Sequence, residues 1–300
     1  MTGSVKRARR YGGAEREQMI IVRDPAEMNA LSNKMREAKL SIGFVPTMGY
    51  LHEGHASLIR AARQQSDAVV LSIFVNPTQF GPNEDLAKYP RDMERDERIA
   101  REEGVDYIFY PEPDTMYLPG FQTYVTVEKL TRSHCGVSRP VHFRGVATVC
   151  TKLFNIVLPH RAYFGQKDYQ QCALIRRMVE DLNMNLEIVV QPTVREPDGL
   201  AMSSRNAYIK TEERKDALCL YESLQLAQKM VQAGETDAKK IVAAMREHIE
   251  SKPLARTDYV SVADTNTLEE LDTIEKEAVA LVAAFVGKAR LIDNAILTVS

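Results

Sequence analysis

Residues 44–63 read FVPTMGYLHEGHASLIRAAR. An apolar segment passes through Pro46 and Gly49 into His52 and His55, which open an amphipathic helix carrying Leu58, Ile59 and Ala62 on one stripe. A helix that begins just past a strand presents unpaired backbone N–H groups and a partial positive charge, a combination that attracts phosphate. Histidines at i and i+3 share one face of that first turn. Both can donate hydrogen bonds to phosphate oxygens, and Gly49 and Gly54 let backbone and ligand approach closely. The plain alternative is a helix cap with two solvated histidines. Neither GxxxxGK[ST] nor GxGxxG occurs, so the common phosphate cradles are absent from the sequence.

Working outward, strand-like and helix-like segments alternate. MIIV (19–22) reads as a strand, followed by a helix with Asp24 as N-cap and Pro25 in its first position. SIGFVP (41–46) is strand-like. AVVLSIFV (68–75) is a continuous apolar run, as expected of a strand buried on both faces. A charged helix ending at Gly104, a strand at 105–111, a helix at 146–158, a short strand at 161–165, a helix from Asp168 and a last strand from Leu186 complete the series. Such alternation predicts an α/β fold with a doubly wound parallel sheet, its ligands beyond the carboxyl ends of the strands. The texture changes near residue 197. Beyond it come charged helices, with Leu220, Leu224, Ala227 and Val231 on one core-facing stripe, and then strand-like runs. The expected organisation is a flexible tail at 1–18, a first domain at 19–196 and a smaller α+β domain at 197–300.

Lys plus Arg number 39 and Asp plus Glu 41, a net charge of −2. This near-neutral balance argues against a nucleic-acid coat. No apolar run approaches the roughly 20 residues of a membrane span, and no signal-peptide core is visible, so a cytoplasmic location is expected. Cys135, Cys150, Cys172 and Cys219 include no CxxC pair, which favours buried thiols over a disulfide or zinc framework.

Two further segments carry chemistry. In YFGQKDYQQ (163–171), Lys167 and Asp168 stand between a strand and a helix. There the lysine can grip a phosphate, and the aspartate can cap the helix or meet a ribose. In DGLAMSSRN (198–206), Ser203, Ser204 and Arg205 form a polar cluster between Gly199 and Asn206, suited to a loop that closes on anions. Taken singly, each segment could be ordinary solvated surface.

PTMGYLHEGH, SIFVNPTQFGPNEDLAKYPRD, HFRGVATVCTKLFNI, FGQKDYQQ and REPDGLAMSSRN occur in this order. With these motifs the chain resembles the pantothenate synthetase family over about residues 19–300. More distantly, HEGH and MSSR are similar to the paired signatures of HxGH nucleotidyltransferases, which have a Rossmann-like fold. The resemblance implies an ATP-dependent condensation of pantoate with β-alanine through a pantoyl-adenylate, releasing pyrophosphate and then AMP. It assigns ATP to Met48, Gly49, Tyr50, Leu51, His52, Glu53, Gly54 and His55, to Gly165, Gln166, Lys167 and Asp168, to Val194, and to Met202, Ser203, Ser204 and Arg205. Catalysis falls on His55, His52, Lys167 and Arg205. The family's proton-donor role maps to His55, whose main effect is expected to be charge neutralisation on the phosphates. Gln79 and Gln171 map to pantoate, and Gln79 also borders the β-alanine site. Against this, either glutamine could be an exposed loop or helix residue. Magnesium is implied as the companion of ATP, with no prosthetic group. Asp96 is its aligned protein ligand, set against a solvated helix residue. His142 and Arg144 are left without a role. The expected partners are the small substrates and a second copy in a homodimer, with no nucleic acid and no membrane.

Overall fold

The computed structural model describes residues 19–82, 84 and 86–299. The tail expected at 1–18 lies outside the described residues. In the first half, each apolar run forms a parallel strand: β1 (Ile20–Val22), β2 (Ile42–Thr47), β3 (Ala68–Ile73), β4 (Tyr107–Phe109), β5 (Arg161–Gly165) and β6 (Glu187–Gln191). Their order across the sheet is β1-β4-β3-β2-β5-β6, and every neighbouring pair is parallel. Successive side chains point to opposite faces, so a central strand must be apolar on both. Phe44 and Val70 join the core that includes Met28 and Met35 of helix α1 (Pro25–Glu37). Val45, Val69 and Leu71 join the opposite core with Leu58 and Ile59 of helix α2 (Glu53–Gln65). As expected, Asp24 caps α1, its Oδ1 accepting the N–H groups of Ala26 at 2.8 Å and Glu27 at 2.9 Å.

From β2 the chain winds outward through β3 to β4, whereas from β5 it winds the other way to β6. The crevice beyond the carboxyl ends of β2 and β5 is therefore the topological switch point. The loop 48–52 and the segment 166–168 both open there. A helix expected from Val146 begins instead at His142 and runs to Val157. Gly145 looks like a breaker in the sequence, but the packing requires it. A Cβ at that position would stand 2.4 Å from the Thr78 carbonyl oxygen and 2.5 Å from the Gln79 Cα.

The last hundred residues build a separate antiparallel sheet, β7 (Ala255–Ala263), β8 (Glu277–Val286) and β9 (Ala289–Thr298). Helices Cys219–Gln232 and Ala238–Glu250 cover it. Leu220, Leu224, Ala227 and Val231 pack with Ile241, Met245 and Ile249 in its core, as their spacing predicts. The first residue that this core takes in is Leu200. All four cysteines are free and buried. Among the described residues, no helix is long and apolar enough to cross a membrane.

Candidate active site

The histidine loop folds by capping itself. His52, in extended conformation, is the N-cap of α2, and its Nδ1 accepts the N–H of Gly54 at 3.1 Å. His55 Nδ1 accepts the N–H of His52 at 3.3 Å. Histidines thus fill both roles of a capping box, and their rings lie 4.1 Å apart. An N–H can only donate, so each Nδ1 carries a lone pair and each neutral ring bears its proton on Nε2. Burial first, then the Lys167 charge, lowers the His52 pKa from 6.5 to about 4. Burial, His52 and Lys167 hold His55 well below its ordinary value. Both rings are therefore uncharged donors at neutral pH, so the charge-neutralising role expected of His55 does not describe its form in this setting. Gly54 also has a role other than the expected one. A Cβ there would lie 2.8 Å from His52 Cε1, so the missing side chain admits the imidazole.

Both histidines line a cavity of about 230 Å³ at the switch point. Met48, Gly54, Gly165, Lys167, Asp168, Val194, Met202, Ser203, Ser204 and Arg205 share its wall. So do Gln79 and Gln171. Lys167, Asp168, Gln171, Ser203 and Arg205 also face an adjoining space of about 620 Å³ that opens toward the second sheet. The three segments singled out in the sequence thus meet around one crevice. Gly49, Tyr50, Leu51, Glu53 and Gln166 lie outside the cavity wall. Leu51 is fully buried in the core, and Glu53 pairs with Arg60 on the surface. Gln166 Nε2 donates to Asn294 Oδ1 at 3.2 Å.

Gln79 is buried, which overturns its reading as an exposed loop residue. Its amide is oriented by Asn76, whose Nδ2 donates to Gln79 Oε1 at 3.0 Å. Asn76 Oδ1 in turn accepts the Tyr117 hydroxyl at 2.8 Å. His142 Nδ1 donates to the Gln79 carbonyl at 3.1 Å, and the ring lines the cavity; burial lowers its pKa to about 3. Arg144 is exposed and stacks on Tyr124 at 4.6 Å, away from the crevice. Sequence reasoning missed Asn76, Tyr117 and Arg139. Only Asn76 left a signal, as the Asn before Pro at the end of a buried strand. Arg139 lines the cavity and pairs with Glu84 at 2.5 Å.

On the opposite wall, Lys167 lies 3.5 Å from Asp168 Oδ1. The segment that carries it is held from the second sheet. Asn294 of β9 donates through Nδ2 to the carbonyls of Gln166 and Lys167, both at 2.9 Å. Its neighbour Asp293, also buried, accepts both terminal nitrogens of Arg195, at 2.5 and 3.0 Å. Arg195 follows Val194, whose carbonyl accepts the Met202 N–H at 3.0 Å. The Ser203 hydroxyl then caps the turn Ser204–Tyr208 by accepting the Arg205 N–H at 3.2 Å.

Asp96 is neither solvated nor in the cavity wall. It is 2% exposed, and both its oxygens accept backbone N–H groups, Oδ2 from Tyr50 at 2.8 Å and Oδ1 from Leu51 at 2.6 Å. Among the described residues, no three His, Cys, Asp or Glu side chains gather as a metal cluster. With both oxygens committed to backbone N–H groups, Asp96 does not fit as a magnesium ligand.

The arrangement gathers imidazole, lysine, hydroxyl and guanidinium groups around one crevice with amide side chains beside them, and relatives give it a family. The model for pantoate–β-alanine ligase matches residues 20–296. The chain belongs to the pantoate–β-alanine ligase family. It is therefore a ligase related to enzymes of pantothenate biosynthesis. The pantothenate synthetase of Thermotoga neapolitana is 58% identical over 279 residues, covering 93% of this chain and all of the relative. That of Desulfatibacillum aliphaticivorans is 57% identical over 93% of this chain and 99% of its own length. Among solved structures, pantothenate synthetase from Thermus thermophilus superposes with a TM-score of 0.87 at 46% identity, covering 92% of this chain and 99% of that one. Pantoate–β-alanine ligase from Francisella tularensis, complexed with β,γ-ATP and β-alanine, gives 0.76 at 34% identity, covering 93% and 97%.

Proposed function

We propose that the protein condenses pantoate with β-alanine in two steps at the switch-point crevice. A pantoate carboxylate oxygen attacks the α-phosphorus of ATP, and the bond to the β-phosphate oxygen breaks to release pyrophosphate. The β-alanine amine then attacks the acyl carbon of the pantoyl-adenylate. Its C–O bond breaks, AMP leaves, and the amine loses a proton. No covalent bond to the enzyme is needed, so catalysis is positioning plus stabilisation of spreading negative charge.

In this reading the Nε2–H groups of His52 and His55 donate to phosphate oxygens. Because each Nδ1 stays the acceptor of a peptide N–H, the rings act as neutral donors whose Nε2–H dipoles are held toward the charge that develops on the phosphates. Lys167, Ser203, Ser204 and Arg205 hold the opposite side of the triphosphate and the leaving pyrophosphate. Gln79, its amide fixed by Asn76, and Gln171 offer donors and acceptors to pantoate hydroxyl and carboxylate oxygens without adding charge. Magnesium enters only as the companion of ATP, and no step is routed through it. The observation that carries the reading is the meeting of His52, His55, Lys167 and the 202–205 turn with Gln79 and Gln171 around one cavity. Pantoate-dependent exchange of labelled pyrophosphate into ATP tests it. Exchange is expected with pantoate and without β-alanine. Exchange that ignores pantoate, or none at all, removes the adenylate.

A further inference from the structure

The histidine loop reaches α2 through a turn that the backbone does not favour. Gly49 has φ +81° and Tyr50 φ +53°, two left-handed residues in succession, the second with a side chain. The next two peptide groups would be buried donors without a helix or sheet partner. One carboxylate takes both: Asp96, in the first turn of helix α3 (Met93–Glu102), accepts the Tyr50 and Leu51 N–H groups through separate oxygens. Leu51 is locked in the core, and the Arg95 guanidinium lies over the Tyr50 ring at 4.9 Å. The fit leaves no slack. A Cβ on Gly49 would lie 2.9 Å from Asp96 Oδ2. The residue immediately after this clamped pair is His52, the N-cap whose backbone N–H orients His55.

We propose that Asp96 is a positioning residue. Its carboxylate chelates the left-handed turn and thereby sets both imidazoles for the triphosphate, in place of ligating a metal. This inference rests on the proposed adenylation, and the two fail in different ways. If the wild-type protein shows no pantoate-dependent exchange, the reaction is wrong. If the wild type is active and the Asp96 variants match it, only the clamp is wrong.

Asp96→Asn keeps the shape and one acceptor but sets an amide N–H against a backbone N–H. It is expected to slow single-turnover adenylate formation by about thirtyfold, in the range seen when transition-state donors are misplaced. The magnesium concentration for half-maximal rate should stay within twofold, and turnover of supplied pantoyl-adenylate with β-alanine should change less than the first step. The imidazole resonances of His52 and His55 should titrate closer to the ordinary value. A metal ligand gives the opposite result: a rise of tenfold or more in the magnesium requirement, with the rate restored at saturating magnesium, overturns the proposal. So does a wild-type adenylation rate. If Asp96→Asn does not fold, Gly49→Ala serves, since its Cβ displaces the carboxylate while the charge remains. It should lose adenylation to a similar degree with unchanged magnesium dependence, and wild-type behaviour overturns the clamp.

Discussion

The two walls of the crevice are held in different ways. The histidine wall is braced inside the first sheet's own layers: α2 caps itself with His52 and His55, and Asp96 of the neighbouring helix binds the turn before them. The lysine wall depends on the other sheet. Asn294 grips the carbonyls of Gln166 and Lys167, and Asp293 grips Arg195 at the root of the 202–205 turn. One wall is fixed by local packing. The other is fixed only as well as β9 is seated, so any change in how the two sheets meet is felt first at Lys167.

That contrast can be broken from either side. His55→Ala removes both a phosphate donor and the acceptor for the His52 N–H. It should slow adenylate formation by about a hundredfold or more in a single turnover, with little effect on the seating of β9. A near-normal rate would show that the histidine wall is only structural. Asn294→Ala leaves the Lys167 side chain intact and deletes its anchor. A fall of about tenfold in kcat/KM for ATP is expected, with the pantoate KM less affected, in keeping with the loss of two or three buried hydrogen bonds partly replaced by water. Equal losses for both substrates would mean that β9 supports the whole crevice and not one wall.

A further effect is expected on stability against pH. In the unfolded chain these imidazoles protonate near 6.5, whereas folded His52 does so only near 4 and His142 near 3, both chiefly because of burial. Between those values the unfolded state binds more protons, so acid favours unfolding. Stability should therefore fall as pH drops from about 6.5 toward about 4, by on the order of 1 kcal/mol per pH unit for each such histidine. Thermal melts at pH 7, 6 and 5 check this, and His52→Gln should flatten part of the slope. A melting temperature that rises on acidification over this interval would contradict the neutral imidazoles.

Much of this was legible in the sequence. The central strands announce themselves because burial on both faces demands continuous runs such as AVVLSI, and Asp24–Pro25 marks a helix start through chemistry local to two residues. The wall residues were legible because they sit in motifs at strand ends. What escaped is non-local. Asp96 stands in MERDERIARE, whose charges read as a solvated face, and nothing there shows that its partners lie 46 and 45 positions earlier. Asn294 acts across the sheets, 127 residues from Lys167. The edge pairing of β1 with β4 also depends on contacts that no periodicity encodes. Nothing in the sequence shows that the missing side chain of Gly145 is what lets its helix press against the Gln79 turn.

The self-capping of α2 has one more effect. With each Nδ1 lone pair already committed to a peptide N–H, neither ring keeps a basic nitrogen for a visiting cation. What the pair offers a guest is hydrogen only. The pair therefore meets a guest through its two Nε2–H groups and leaves any cation to be held by other groups of the crevice.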